Sequence, residues 1–161
     1  MKLANRQRGL KSKRHGQGFE ESFVKLARQQ SVGVTEIKQG CRPLRRVRGA
    51  IFQALLLKSP FDLCLHFDGR TAFIDLKTRE TKSLCYSSID QEQVRSLRVA
   101  AQGGIAGYVV RLPEGIVFFP IDLLESVKPG SSLSLEHGWI LGRREGAICW
   151  FNVRRIFESS R

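Results

Sequence analysis

Asp62, Asp75 and Lys77 are the residues whose types and spacing could do chemistry. They lie in "SPFDLCLHFDGRTAFIDLKTR", Ser59 to Arg79, where two apolar runs flank Asp68-Gly69. Asp-Gly is a favoured two-residue hairpin turn, because both positions tolerate positive φ. With that turn as the loop, Phe67 pairs with Arg70 and Asp62 comes to lie opposite Asp75. The alternation agrees. Phe61, Leu63, Leu65 and Phe67 share one face with Ala72, Ile74 and Leu76, a coherent buried surface. Asp62, Cys64, His66, Phe73, Asp75 and Lys77 share the other. A slip of one residue would set Leu76 opposite Asp62 and mix the two faces.

Like charges directly opposite on a sheet repel. A divalent cation would offset that cost, since hard cations take carboxylate oxygens and Mg²⁺ keeps waters as well. Lys77 follows Asp75 by two residues, on the same face, within reach of a bound phosphate or water. Two carboxylates and a lysine around a metal are the parts that phosphodiester hydrolysis needs. The ordinary reading of such a pattern is solvated charge on an exposed strand face. His66 shares the face two pairs away and reads as a surface or DNA-facing residue.

The charge distribution points to a polyanionic partner. The chain carries a formal net charge of +12. Residues 1–18 hold Lys2, Arg6, Arg8, Lys11, Lys13 and Arg14, and residues 38–58 hold Lys38, Arg42, Arg45, Arg46, Arg48 and Lys58; neither segment has an acid. Together they contain 12 of the 27 basic residues, and the remaining 15 are balanced by 15 acids. The excess therefore sits in two patches, which favours nucleic acid over a membrane surface. Phe52 is the one aromatic residue close to them, so phosphate contact is expected there ahead of base stacking. No apolar run is long enough to span a bilayer and the N-terminus lacks a signal-peptide core, so the expectation is a cytoplasmic protein with no membrane partner. Cys41, Cys64, Cys85 and Cys149 are scattered without metal spacing and read as reduced thiols.

The elements that must position these residues follow from periodicity. "GFEESFVKLARQQ" puts Phe19, Phe23, Leu26 and Gln30 on one helical stripe, with Glu20 and Glu21 in the first turn, where the helix dipole favours acids. "VTEIK" reads as a short strand, 39–58 as a loop or projecting arm, and "AIFQALLLK" within it as helix or strand. Ser88 and Gln91 have capping-box spacing ahead of a helix that carries Ile89, Gln93, Leu97 and Ala100 on one face and stops at Gly103-Gly104. "IAGYVVRL" and "GIVFFPI" read as strands, and "GWILGRREGAICWFNVRRIF" as a strand pair. Helix, three strands, helix and two strands make a mixed α/β arrangement, one domain by length.

In "GQGFEE", "SPFDL", "FIDLKT" and "DQEQVRSL…GGIAGYVVRL", in that order over Gly16 to about Ile121, the chain resembles PD-(D/E)xK nucleases. Within them it is similar to the RecU-type Holliday junction resolvases of bacteria and their phages. The resemblance implies a restriction-endonuclease-like αβββαβ core with a mixed central sheet flanked by helices. It implies a basic N-terminal arm at 1–15 and a single nuclease domain at 16–161, with a basic projecting loop at 39–58. It matches Glu20 to the acid on the first helix, Asp62 to the "PD" aspartate with Phe61 inserted after Pro60, Asp75 and Lys77 to the D/ExK pair, and Gln93 to a glutamine on the second helix. Implied catalytic residues are then Glu20, Asp62, Asp75, Lys77 and Gln93. Implied metal ligands are Asp62, Asp75 and Glu20, holding Mg²⁺, with Mn²⁺ an acceptable substitute. Lys11, Lys13, Arg14, Arg42, Arg45, Arg46 and Arg48 are the candidate DNA contacts.

The expected activity is metal-dependent cleavage of branched DNA, as paired nicks in four-way junctions by a homodimer. Ile51 to Leu57 and "GIVFFPI" are the candidate apolar contact material for that dimer. Another PD-(D/E)xK endonuclease, of repair or restriction type, and a basic nucleic-acid-binding protein without catalysis are the alternatives.

Overall fold

The computed structural model describes residues 18–37, 40–47, 50–57, 59–145 and 148–158; for 40–47, 50–57, 145, 148 and 149 it describes the backbone. Lys11, Lys13, Arg14 and Arg48 lie outside the described residues.

The Asp68-Gly69 turn sets the register as its chemistry demands. Both residues have positive φ, 50° and 70°, and Phe67 pairs with Arg70. The strands so joined are β4 (Leu63–Phe67) and β5 (Arg70–Thr78). Before them come helix α1 (residues 18–29), strand β1 (Gly33–Glu36) and a hairpin of β2 (Gly40–Val47) and β3 (Ala50–Leu57). After them come β6 (Ser83–Cys85), α2 (Gln91–Ala100), β7 (Ile105–Leu112), β8 (Gly115–Pro120) and α3 (Ile121–Ser126). The chain closes with β9 (Ser132–Ser134), β10 (Trp139–Glu145), β11 (Ile148–Cys149) and α4 (Arg155–Glu158).

Among the described residues the main sheet has seven strands in the order β1-β4-β5-β7-β8-β10-β11. β5 and β7 run parallel, joined through α2, and the other neighbours are antiparallel. Both faces are buried. Leu63, Leu65, Ala72, Ile74 and Val109 pack with Phe19, Phe23 and Ala27 of α1 and with Ile156 and Phe157 of α4. Tyr108, Val110, Val117 and Phe119 pack on the other side with Val94 and Leu97 of α2 and with Ile121 and Leu124 of α3. The mixed α/β architecture with helices on both faces matches the expectation.

Several local expectations need correction. The face carrying Asp75 is covered by α2, so a solvated strand face is the wrong picture. Phe61 lies on that same side against Phe73, ring centroids 5.1 Å apart, and not with Leu63. The registered ladder ends at Leu63 and Ile74, and the Asp62 N–H bonds the Ile74 carbonyl at 3.0 Å, so the chain bends out of alternation before β4. Within the segment expected as a loop or projecting arm, 40–47 and 50–57 are strands: β2 and β3 pair with each other in a sheet of their own, with register shifts beside Pro43, whose missing N–H cannot serve a ladder. "AIFQALLL" is thereby a strand. The cap of α2 is Asp90, which accepts from Glu92 N and Gln93 N, not Ser88. "GIVFFP" is an interior strand with its apolar side chains buried, so it leaves no surface for a dimer.

Candidate active site

The two aspartates meet just before β4 and in the C-terminal half of β5. Ends of parallel strands are the common location for ligand crevices in α/β sheets. Asp75 is wholly buried, a charged side chain inside an apolar layer. Such a group needs partners, because an isolated buried charge is strongly disfavoured. Lys77 Nζ ion-pairs with Asp75 Oδ2 at 2.5 Å and donates to Gln93 Oε1 at 2.9 Å. Gln93 Nε2 donates to Asp75 Oδ1 at 2.8 Å. The three side chains thus close a ring, with α2 supplying the amide that links the other two.

Two further contacts fix this ring. Asp90 anchors the first turn of α2 and so the base of Gln93. Tyr108, paired across β5–β7 with Asp75, lays its ring 5.2 Å from Lys77 Nζ and donates from its hydroxyl to the Asp90 carbonyl at 3.4 Å. A cation facing an aromatic ring gains electrostatically, and more so out of water. Burial raises the Tyr108 phenol, with the charges of Asp75 and Asp90 adding to the effect.

Asp62 completes the pair of acids. Its Oδ2 accepts the Leu76 N–H at 2.7 Å, and its carbonyl accepts the Ile37 N–H at 2.8 Å. The proximity shows in the Asp75 carboxyl, which is pushed up to about 7, first by burial; Lys77 pulls it down and Asp62 pushes it up again. Glu20, in the first turn of α1, is also held above its ordinary value, by burial and then by Asp62, Glu36 and Glu21. It lines an open groove of about 750 Å³ with Glu21, Lys25, Arg28 and Glu36. Among the described residues no three His, Cys, Asp or Glu side chains stand close enough together to hold a metal ion. Asp62 and Asp75 form a pair, and Glu20 is a neighbour felt through its charge. Mg²⁺ fits that donor set, because it is commonly held by one or two carboxylates with waters and substrate phosphate completing its shell. Among the described residues no hydrogen bond of ordinary geometry reaches the buried Asp75 Oδ2, which is held in the ion pair with Lys77 and feels Asp62.

The sequence-expected residues therefore divide. Asp62, Asp75, Lys77 and Gln93 converge, and Glu20 flanks them. Arg42, Arg45 and Arg46 lie on β2, in the separate hairpin. His66 is exposed and bonds Thr71, away from the ring. Sequence reasoning missed Tyr108 and Asp90. The signal for Tyr108 was its position in "GYVVRL", one strand over from Asp75, but the parallel register cannot be read without knowing how far α2 carries the chain.

No protein-family model and no curated protein matches the chain. Among solved structures it is similar to Hjc, a Holliday junction resolvase from the archaeal hyperthermophile Archaeoglobus fulgidus. The TM-score is 0.57 at 18% identity, covering 78% of this chain and 95% of that one. The protein SSO0001 overlaps at a TM-score of 0.45 and 17% identity, over 74% of this chain and 56% of that one, too loosely to carry weight. The first likeness shows the fold: this chain shares the restriction-endonuclease-like architecture of that resolvase.

Proposed function

We propose that this protein is a DNA endonuclease selective for branched substrates, a Holliday junction resolvase of the RecU type, working with Mg²⁺ as a homodimer. The observation that carries the reading is the buried Asp75, tied to Lys77 and Gln93 and set against Asp62 at the end of parallel strands. A stable protein has little reason to bury one acid against a second, half-exposed one unless a cation or substrate uses them. The resolvase fold of the archaeal neighbour is consistent with it.

In this reading Asp62 and Asp75 hold the metal, with Glu20 adding negative charge on the α1 side. Bound there, Mg²⁺ supplies charge against the scissile phosphate and a lowered pKa for the attacking water. Lys77 orients that water or stabilises the charge that develops on phosphorus oxygens. Gln93 holds Lys77 and Asp75 in fixed relation, and the apolar layer around Asp75 excludes bulk solvent. The basic segments at 1–18 and 38–58 supply phosphate contacts, and the two-fold symmetry of a dimer suits the two symmetric nicks that a four-way junction requires.

The test is cleavage of a panel comprising a four-way junction, a flap, a mismatch and a linear duplex, with Mg²⁺ and with EDTA. Paired nicks in the junction, absent in EDTA, are expected. Preference for another substrate would point to a different PD-(D/E)xK endonuclease. Binding without cleavage of any substrate would leave a nucleic-acid-binding protein.

A further inference from the structure

Trp150 is 76% exposed, a large aromatic ring left in water beyond the end of β11. Its neighbour Phe151 is packed, stacked on Phe23 of α1 at 5.5 Å, so the segment is anchored while the indole is not. Register places Trp150 at the same end of the sheet as the acids. Thr78, which follows Lys77, pairs with Arg111; Arg111 pairs with Ile116, and Ile116 with Gly142. The chain at Trp150 and Phe151 lies directly against Gly142, where a Cβ would meet the Trp150 carbonyl at 2.2 Å. Asn152 N bonds the Leu141 carbonyl at 2.9 Å, extending the ladder by one more strand. Trp150 is therefore four strand spacings from the end of β5, about 19 Å at roughly 4.8 Å each. That is the rise of about six base pairs of DNA at roughly 3.4 Å per pair.

The surroundings are cationic. The pairing of Arg144 with Cys149 sets Arg143 beside Trp150, whereas Arg154 is turned onto the Phe67 ring and the Gln30 carbonyl. Arg143 is bound to Glu136 at 2.7 Å, but both side chains are more than half exposed, and such pairs are weak enough for a phosphate to displace. Arg111, between Trp150 and the acids, lies over the Phe19 ring at 5.9 Å and has no carboxylate partner among the described residues.

We infer that Trp150, flanked by Arg143, is a stacking platform for a DNA base left unstacked at a branch point, about 19 Å across the sheet from the end of the strand that carries the acids, and reached by a strand that passes Arg111. The inference rests on the DNA-cleaving reading and extends it to the recognition of branched substrates. Linear duplex offers no free base face, whereas a branch point does. A second protein is the weaker occupant: one indole presents at most about 250 Å², well short of the roughly 800 Å² per partner that a stable interface uses. Base stacking needs only the one ring and is helped by adjacent arginine.

The experiment measures binding of the full chain, in EDTA, to a four-way junction and to a linear duplex. Trp150→Ala is expected to weaken junction binding roughly 5- to 150-fold, the range for losing one base–aromatic stack, and to leave duplex binding within about 2-fold. Trp150→Phe should retain most of the junction affinity. In a Trp139→Phe background, where Trp150 is the sole indole, junction should quench its fluorescence and duplex should not. Junction binding by Trp150→Ala equal to wild type, or equal losses on both DNAs, would overturn the platform while leaving the nuclease reading intact. A fall in mass on light scattering with Trp150→Ala would overturn it in favour of contact between copies. Failure of the wild-type protein to bind any DNA would sink the function as well as the platform.

Discussion

β5 shows two solutions to burial on one strand. On its α1 side Ala72 and Ile74 are wholly buried among Leu63, Leu65, Phe23 and Val109, and polar side chains stand only at the two ends of the strand, where Arg70 donates to the Phe157 carbonyl. On its α2 side the same strand places Asp75 and Lys77, and they are kept inside by Gln93, Tyr108 and the apolar layer around them. The first face is what a sequence does when stability alone is at stake. The second spends stability on a geometry. Burying a carboxylate beside another carboxylate is unfavourable even with a lysine at 2.5 Å, and apolar replacements at such sites often stabilise a protein. Substitutions on the two faces should therefore have opposite signatures, and that contrast can be broken.

The largest effect is expected on the α2 side. Asp75→Asn should lower the cleavage rate by at least about 10³-fold, or roughly 4 kcal/mol of transition-state stabilisation, with DNA affinity within about 3-fold. The amide keeps an acceptor for Gln93 and removes repulsion towards Asp62, so folding is spared. Single-turnover cleavage by purified protein decides it, and a rate near wild type would remove Asp75 from the site. On the α1 side, Ile74→Ala should do the reverse. It should cost about 2–5 kcal/mol of stability through lost burial and a residual cavity, with near-normal cleavage wherever the protein remains folded. Denaturant melts against a rate at low temperature separate the two, and an inactive but stable Ile74→Ala would erase the distinction between the faces.

Acid–base behaviour gives a subtler version of the same contrast. The Asp75 carboxyl goes from 3.8 to about 7 on folding, mainly through burial. The folded protein therefore binds this proton more tightly than the unfolded chain does. Its contribution to stability is fully present below about pH 4 and is lost as pH rises through about 7. Metal-free protein should lose on the order of 2 kcal/mol across that window, allowing for the coupling to Lys77. Asp75→Asn should flatten the slope and be the more stable protein at pH 8. Melting temperatures from pH 4 to 8 in EDTA test this, and a wild-type curve that rises with pH would contradict it.

How much of this was legible beforehand depends on whether a feature is local. The Asp68-Gly69 turn dictates its own register, so the pairing of β4 with β5 and the approach of Asp62 to Asp75 could be read directly. Helix α1 showed through its stripe of Phe19, Phe23, Leu26 and Gln30, of which the fold buries Phe19 and Phe23, with Val24 and Ala27 from beside the stripe, and leaves Leu26 and Gln30 half-buried. Phe61 defeated alternation because the chain leaves the ladder at Asp62, and nothing in "SPFDL" announces that bend. The burial of Asp75 was invisible for a different reason. It depends on α2, sixteen residues or more away in sequence, lying across the strand, and an alternating strand looks the same whether its polar face meets water or a helix. Asp90 took the cap from Ser88 because residues 86–88 are already used in a 3₁₀ turn.

The smallest effect expected is at the hydroxyl of Tyr108, and it asks whether the α2 side is a polar network or a charge cluster resting on an aromatic floor. The phenol is wholly buried, yet its bond to the Asp90 carbonyl is long, 3.4 Å. That carbonyl also accepts the Val94 N–H at 2.9 Å, so losing the hydroxyl leaves no orphan acceptor. Removing donor and hydroxyl together from a well-packed site is a mild change, about 0.5–1 kcal/mol. The ring itself, 5.2 Å from Lys77 Nζ, stays in place in Tyr108→Phe. Stability should fall by no more than that, and the cleavage rate should stay within about 2-fold of wild type, because Asp75, Lys77 and Gln93 keep every contact. Tyr108→Leu, which removes the face that Lys77 rests on, should slow cleavage several-fold at unchanged DNA affinity, and should slow Lys77→Ala no further if the ring acts through the ammonium group. A Tyr108→Phe protein as slow as Tyr108→Leu would mean that the hydroxyl, and with it the cap of α2, holds the site together, and the comparison would have to be redrawn around Asp90.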